Sequence, residues 1–133
     1  MTTQVVEPPT ILIVDNDPDV SKLLRRLIHS FAPRCEIVMV TSGAQALAVL
    51  VARPVALVIT DYHMPGMNGI QLTRAIKGVS PATRVAIMSA EDVRDVAPQA
   101  HAVAADYVLP KPYELAHLQQ IIGESLPPAA SDP

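Results

Sequence analysis

Four side chains that follow apolar runs in this chain are of the types that handle phosphate and divalent metal. Asp61 closes the run Val55-Ala56-Leu57-Val58-Ile59-Thr60 and opens the turn Asp61-Tyr62-His63-Met64-Pro65-Gly66-Met67-Asn68-Gly69. A strand that runs straight into a Pro and Gly turn presents one carboxylate at a rigid loop mouth. Asp15, with Asn16 and Asp17 behind it, follows Ile11-Leu12-Ile13-Val14. Ser89 follows Val85-Ala86-Ile87-Met88, and Lys111 follows the shorter Tyr107-Val108-Leu109. Carboxylates, a hydroxyl and an ammonium group at successive strand ends are the parts needed to bind a divalent cation and manage a phosphoryl group.

Those strand ends need a scaffold, and length and composition limit what it can be. A chain of 133 residues with a hydrophobic fraction of 50% fits one domain with a single buried core. The net charge is −3, and the ten Lys and Arg are scattered, so the chain shows no nucleic-acid footprint. One cysteine, Cys35, excludes an internal disulfide and suits a reducing compartment. No apolar run approaches the ~18 residues of a membrane span. The N-terminus lacks the basic and apolar regions of a secretory signal, so a cytoplasmic location without membrane partners is expected.

Residues 1–9 read as a Pro-terminated polar tail, 10–126 as the folded domain and 127–133 as a second tail or the start of a linker. Inside the domain, short apolar runs alternate with segments of helical period, the pattern of an α/β fold whose parallel sheet is covered on both faces. Asp17 and Pro18 open a first helix with Val20, Leu23, Leu24, Leu27, Ile28 and Phe31 on its apolar face. A strand over Glu36–Val40 leads through Ser42-Gly43 to a helix carrying Ala46, Leu47, Leu50 and Val51, stopped by Pro54. Asn68 caps a third helix with Leu72, Ala75, Ile76 and Val79 inward, ended by Gly78 and Pro81. Val93, Val96, Ala97, Ala100 and Ala104 mark a fourth, which Pro98 should kink or shorten, making it the expected mobile element. Leu115, Leu118, Ile121 and Ile122 mark the fifth. Five βα units make a doubly wound five-stranded parallel sheet, which binds ligands outside the carboxyl ends of its strands.

With Asp15, Asp61-x-x-Met64-Pro65-x-Met67-x-Gly69, Ser89-Ala90 and Lys111-Pro112 in this order and at these intervals, the chain resembles a response-regulator receiver domain of two-component signalling. The resemblance covers nearly the whole folded region. It implies a flavodoxin-like fold with strand order 2-1-3-4-5. It also implies that Asp61 takes a phosphoryl group from a phosphohistidine on a histidine kinase or phosphotransfer protein. Asp15, Asp61 and the backbone carbonyl of His63 would hold Mg²⁺, with Asn16 and Asp17 as further candidates. Ser89 and Lys111 would meet the phosphoryl oxygens, and Lys111-Pro112 resembles the family's cis peptide. An unidentified downstream protein, or a second copy of the phosphorylated chain, would read the switch. The favoured expectation is a single-domain regulator without an output domain of its own, and the Pro-Pro tail leaves open a piece of a longer regulator or hybrid kinase.

Two positions depart from the family pattern. Asn16 stands where a second acid usually ligates the metal, and a neutral amide oxygen is a poorer ligand for a hard cation, so weaker Mg²⁺ binding is expected unless Asp17 compensates. Val108 stands where an aromatic switch residue is usual, three before the lysine. Its neighbour Tyr107 would point to the opposite face of the strand unless the register shifts. These departures motivate one alternative, a receiver-like interaction module that works without phosphorylation. A second alternative starts from Asp15-Asn16-Asp17, which resembles the opening of haloacid-dehalogenase-like phosphohydrolases and would put the nucleophile on Asp15. Of His29, His63, His101 and His117, none has metal-ligand spacing, and Ser89 and Asp17 could each be plain caps.

Overall fold

A computed structural model describes residues 7–127. Most of the two expected tails, residues 1–6 and 128–133, therefore lies outside the described residues. Five strands alternate with five helices: β1 Thr10–Val14, α1 Pro18–Phe31, β2 Glu36–Val40, α2 Gly43–Ala52, β3 Leu57–Asp61, α3 Gly69–Val79, β4 Arg84–Ser89, α4 Val93–Ala102, β5 Tyr107–Pro110 and α5 Leu115–Ser125. All strand pairs are parallel and the order is β2-β1-β3-β4-β5, the doubly wound arrangement with its reversal between β1 and β3.

The strands are almost uniformly apolar because successive side chains feed two separate cores. Ile11 and Ile13 of β1, with Leu57 and Ile59 of β3, pack against Leu24 and Ile28 of α1 and Leu118, Ile121 and Ile122 of α5. Leu12, Val14 and Val58, which alternate with them, pack against Ala46 and Leu50 of α2, Leu72 and Ile76 of α3, and Ala100 of α4. Burying a side chain of this size contributes about 1.5–3 kcal/mol, so a one-residue slip of β1 or β3 would misplace both cores at once. That fixes the register on which the strand-end residues depend.

Helix starts follow local chemistry. Asp17 accepts the Asp19 amide at 3.0 Å ahead of Pro18, and Ser42 accepts the Gln45 amide at 3.2 Å. Asn68 and Gln71 form a reciprocal capping box at 2.8 and 2.9 Å.

Several expected inward positions are corrected. Leu23, Val51, Val79 and Leu115 are exposed, because each lies on the shoulder of its helix while its neighbours fill the core. In α3 the buried place goes to Thr73, whose hydroxyl donates to the Gly69 carbonyl at 2.7 Å. Gly78 does not end α3, which runs on to Val79 with Ser80 as its C-cap. Ala104 is not helical. It adopts φ 62° just past α4, where its amide donates to His101 and that of Ala105 donates to Ala100, closing the helix in a Schellman turn.

Candidate functional site

The site is built by strand register. Val14 pairs with Thr60, so Asp15 and Asp61 leave adjacent strands side by side. Asp61 pairs with Met88 and Ser89 pairs with Pro110, which sets Ser89 and Lys111 at the next strand ends. Backbone hydrogen bonds pin this rim: Tyr62 donates to the Met88 carbonyl at 2.8 Å and Lys111 to the Ser89 carbonyl at 2.8 Å. Gly69 lets α3 start against the loop that follows Asp61, donating to the Tyr62 carbonyl at 2.8 Å. A Cβ there would lie 2.5 Å from the Asp61 carbonyl oxygen, so no larger residue fits without moving backbone. The Lys111-Pro112 bond is cis.

Within this rim the Lys111 ammonium donates to Asp61 Oδ1 at 3.0 Å. Asp15 is 1% exposed; its Oδ1 accepts the Asp17 amide at 2.8 Å, and its Oδ2 is buried with no hydrogen-bond partner among the described residues. Burial pushes the Asp15 carboxyl above its ordinary value, and the Asp17 amide opposes that. The nearby Asp61 charge raises it further while Lys111 draws it down. An orphaned carboxylate oxygen beside a second carboxylate is where a hard cation would relieve both desolvation and repulsion. Among the described residues no three His, Cys, Asp or Glu side chains form a metal cluster. Two carboxylates nevertheless suit Mg²⁺, which keeps several waters and takes one or two carboxylates from a protein.

The other expected residues have definite places. Asn16 is exposed next to Asp15, and the Asp17 carboxylate caps α1. Ser89 is 2% exposed and accepts the Glu91 amide at 2.9 Å, leaving its own hydrogen for another acceptor. Ser89 is not the cap of α4; Asp92 is, accepting the Arg94 amide at 2.9 Å. The His63 ring meets the Glu91 carboxylate at 2.9 Å. Val108 faces the α2, α3 and α4 core. Tyr107 faces the α1 and α5 side, its hydroxyl held by Arg84 at 3.2 Å and Glu124 at 3.0 Å. The two are opposed, as strand alternation requires, and no register shift turns Tyr107 toward α4.

Two participants escaped sequence reasoning. Tyr113 lies in the field of the site: burial raises its phenol, Lys111 lowers it and Asp15 raises it. Its place directly after the Pro that follows Lys111 was the available signal. Gln99 of α4 accepts a hydrogen bond from Tyr62 at 3.1 Å, a contact between residues 37 apart that no local pattern announces.

The family model for the response regulator receiver domain matches residues 11–123. The chain belongs to that family. The transcriptional regulatory protein GlrR of Escherichia coli K12 is 35% identical over 124 residues, covering 93% of this chain. The receiver domain spans only 28% of that relative's length. A solved signal receiver domain from an HD domain-containing protein of Pseudomonas fluorescens Pf-5 superposes with a TM-score of 0.83 at 25% identity, covering 94% of this chain and 91% of its own. The response regulator TrrA of Thermotoga maritima, solved with Mg²⁺ and BeF, superposes with a TM-score of 0.77 at 24% identity over 89% of this chain and 99% of its own, a likeness of fold. Receiver domains are signalling domains, and the family generally binds Mg²⁺. Among the described residues no helix is long and apolar enough to cross a membrane.

Proposed function

We propose that this receiver domain takes a phosphoryl group onto Asp61 from the phosphohistidine of a histidine kinase or phosphotransfer protein, in a Mg²⁺-dependent reaction in the cytoplasm. A carboxylate oxygen of Asp61 forms the new P–O bond as the P–N bond to the donor imidazole breaks, and the electron pair leaves with the imidazole. The observation that carries this reading is the pairing of Asp61 with Lys111 beside a buried Asp15 whose Oδ2 is unpartnered.

Asp15, Asp61 and the His63 backbone carbonyl would hold Mg²⁺, with Asn16 and Asp17 as further candidate ligands. The bound ion supplies positive charge that offsets repulsion between carboxylate and incoming phosphate. Lys111 orients Asp61 beforehand and then pairs with a phosphoryl oxygen. Ser89 turns its free hydrogen to another of those oxygens. The new contacts bias an equilibrium of the loops and α4, which a downstream protein, or a second copy of the chain, reads.

Acetyl phosphate supplied over a range of Mg²⁺ concentrations tests this by intact mass. One phosphoryl group per chain is expected, lost in Asp61→Asn and dependent on Mg²⁺. Val108 keeps one other reading in play, an interaction module that works without phosphate. No phosphorylation at any Mg²⁺ concentration, with a partner that binds Asp61→Asn as well as the natural chain, would establish that reading instead. Family membership sets aside the phosphohydrolase reading of Asp15.

A further inference from the structure

Val108 puts no aromatic ring on the α4 side of β5, so a link between the acceptor site and α4 is to be sought elsewhere. The loops supply a continuous one. Ser89 accepts the Glu91 amide at 2.9 Å, and the Glu91 carboxylate meets His63 Nε2 at 2.9 Å. The His63 ring abuts Tyr62 edge to face, with ring centroids 4.6 Å apart and planes at 77°. The Tyr62 hydroxyl donates to Gln99 Oε1 at 3.1 Å, and Gln99 Nε2 donates to the Asp95 carbonyl at 3.0 Å, back inside α4.

The link into α4 has a definite sense. Because the Gln99 amide nitrogen is committed to Asp95, its oxygen is the atom left to face Tyr62. The Tyr62 backbone is clamped on both sides, its amide on Met88 and its carbonyl on Gly69, so its side chain is the part free to follow a moving neighbour. α4 itself is lightly anchored. It buries only Val96 and Ala100, and Pro98 inside it removes the amide that would bond to the Arg94 carbonyl. A polar tether therefore carries more weight in α4 than it would in a helix with a wide apolar face.

We propose that Tyr62 and Gln99 are the coupling residues of this receiver: the Tyr62–Gln99 hydrogen bond holds α4 in its unphosphorylated position, and Ser89 releases it through Glu91 and His63. The inference rests on the phosphoacceptor reading of Asp61. When the Ser89 hydroxyl turns to a phosphoryl oxygen, the Glu91 amide loses its acceptor geometry. The loop between β4 and α4 then shifts, carrying His63 against Tyr62 and drawing the phenol off Gln99. Tyr62 and Gln99 touch no reacting atom; they are positioning residues.

Hydrogen exchange over the α4 peptide, with and without acetyl phosphate and Mg²⁺, tests this in the natural chain, Tyr62→Phe, Gln99→Met and the double variant, with phosphoryl stoichiometry read by intact mass on the same samples. Both single variants should take one phosphoryl group as the natural chain does. Their unphosphorylated α4 should already exchange faster, so that the phosphorylation-dependent difference falls by at least half. The double variant should lose no more than the larger single loss, as one shared contact requires. A merely structural role would instead raise exchange in α1 and α5 as well. The proposal is overturned if either variant keeps the full α4 difference, or if phosphorylation leaves α4 of the natural chain unchanged. A natural chain that takes no phosphoryl group is seen in the mass alone, and that outcome removes the acceptor reading and this coupling with it.

Discussion

Asp15→Asn should make the metal-free protein more stable at neutral pH while removing most of its response to Mg²⁺. Asp15 is 1% exposed and its Oδ2 has no partner among the described residues. Leaving an acceptor buried and unsatisfied costs about 1–3 kcal/mol, and no less when it is charged. Asparagine has nearly the same shape, keeps an oxygen for the Asp17 amide, and puts a donor where the orphaned oxygen stood, beside the Asp61 carboxylate. Against that gain stands the weaker hydrogen bond from the Asp17 amide once its acceptor is neutral, a loss of about 1 kcal/mol. The net expectation is a stabilisation of ~1 kcal/mol, or a rise in Tm of roughly 3–6 °C for a domain of this size.

The pH dependence has a definite sign. The folded carboxyl is raised above its ordinary value of 3.8, chiefly by burial. The stability contributed by its protonated form is therefore fully present below 3.8 and lost as pH rises through the folded value. Asparagine cannot titrate, so its advantage should be largest at neutral pH and should shrink to nothing on acidification below that ordinary value. Urea denaturation in EDTA at several pH values measures this. The same titration in Mg²⁺ should stabilise the natural chain by RT ln(1 + [Mg²⁺]/Kd) and the variant by much less. A variant less stable than the natural chain in EDTA at neutral pH, or an equal gain from Mg²⁺ in both, would refute the reading of Asp15 as an unpaired, cation-seeking carboxylate.

Gly69→Ala should cost about 2–3 kcal/mol, since the added Cβ meets the Asp61 carbonyl oxygen at 2.5 Å and backbone must move; urea denaturation would show it, and a loss below about 0.5 kcal/mol would contradict the clash. The same displacement of Asp61 should slow phosphorylation by acetyl phosphate. Ala104→Gly should stabilise the domain by about 0.5–1 kcal/mol, because alanine holds φ 62° at the Schellman position after α4 where glycine meets no Cβ penalty. Asn16→Asp should tighten Mg²⁺ binding about tenfold by adding a charged oxygen ligand, measured by titration calorimetry, and equal affinities would show that Asp17 already compensates.

The fold was legible because it is written in two periods at once. Runs such as Ile11–Val14 alternate side chains between two cores, and the helical stripes between them have one buried face each. What a stripe cannot show is how wide the contact with the sheet will be. Val51, Val79 and Leu115 sit at helical spacing with their buried neighbours and still face solvent, because the apolar face extends past the line of contact. Ala104 misled for a different reason: alanine is the strongest helix former, and nothing local marks it as the residue that must turn left-handed to end α4.

The site divides along the same line. Asp15, Asp61, Ser89 and Lys111 were legible because each stands at or just past the end of an apolar run, Asp61 one place after Thr60, and parallel register then brings strand ends together. Contacts made by loop side chains carry no such mark. Tyr62 follows Asp61 directly, and its partner Gln99 lies 37 residues away on the outer face of a helix with little apolar pattern. Tyr107 and Val108 belong to the legible part. Alternation alone predicted that they face opposite ways, and the sheet puts Tyr107 against Glu124 of α5 and Val108 against the α4 side. The aromatic group that reaches α4 is therefore Tyr62, beside Asp61, not one in the last strand, and on the coupling proposed above the signal should run through the loops above the sheet.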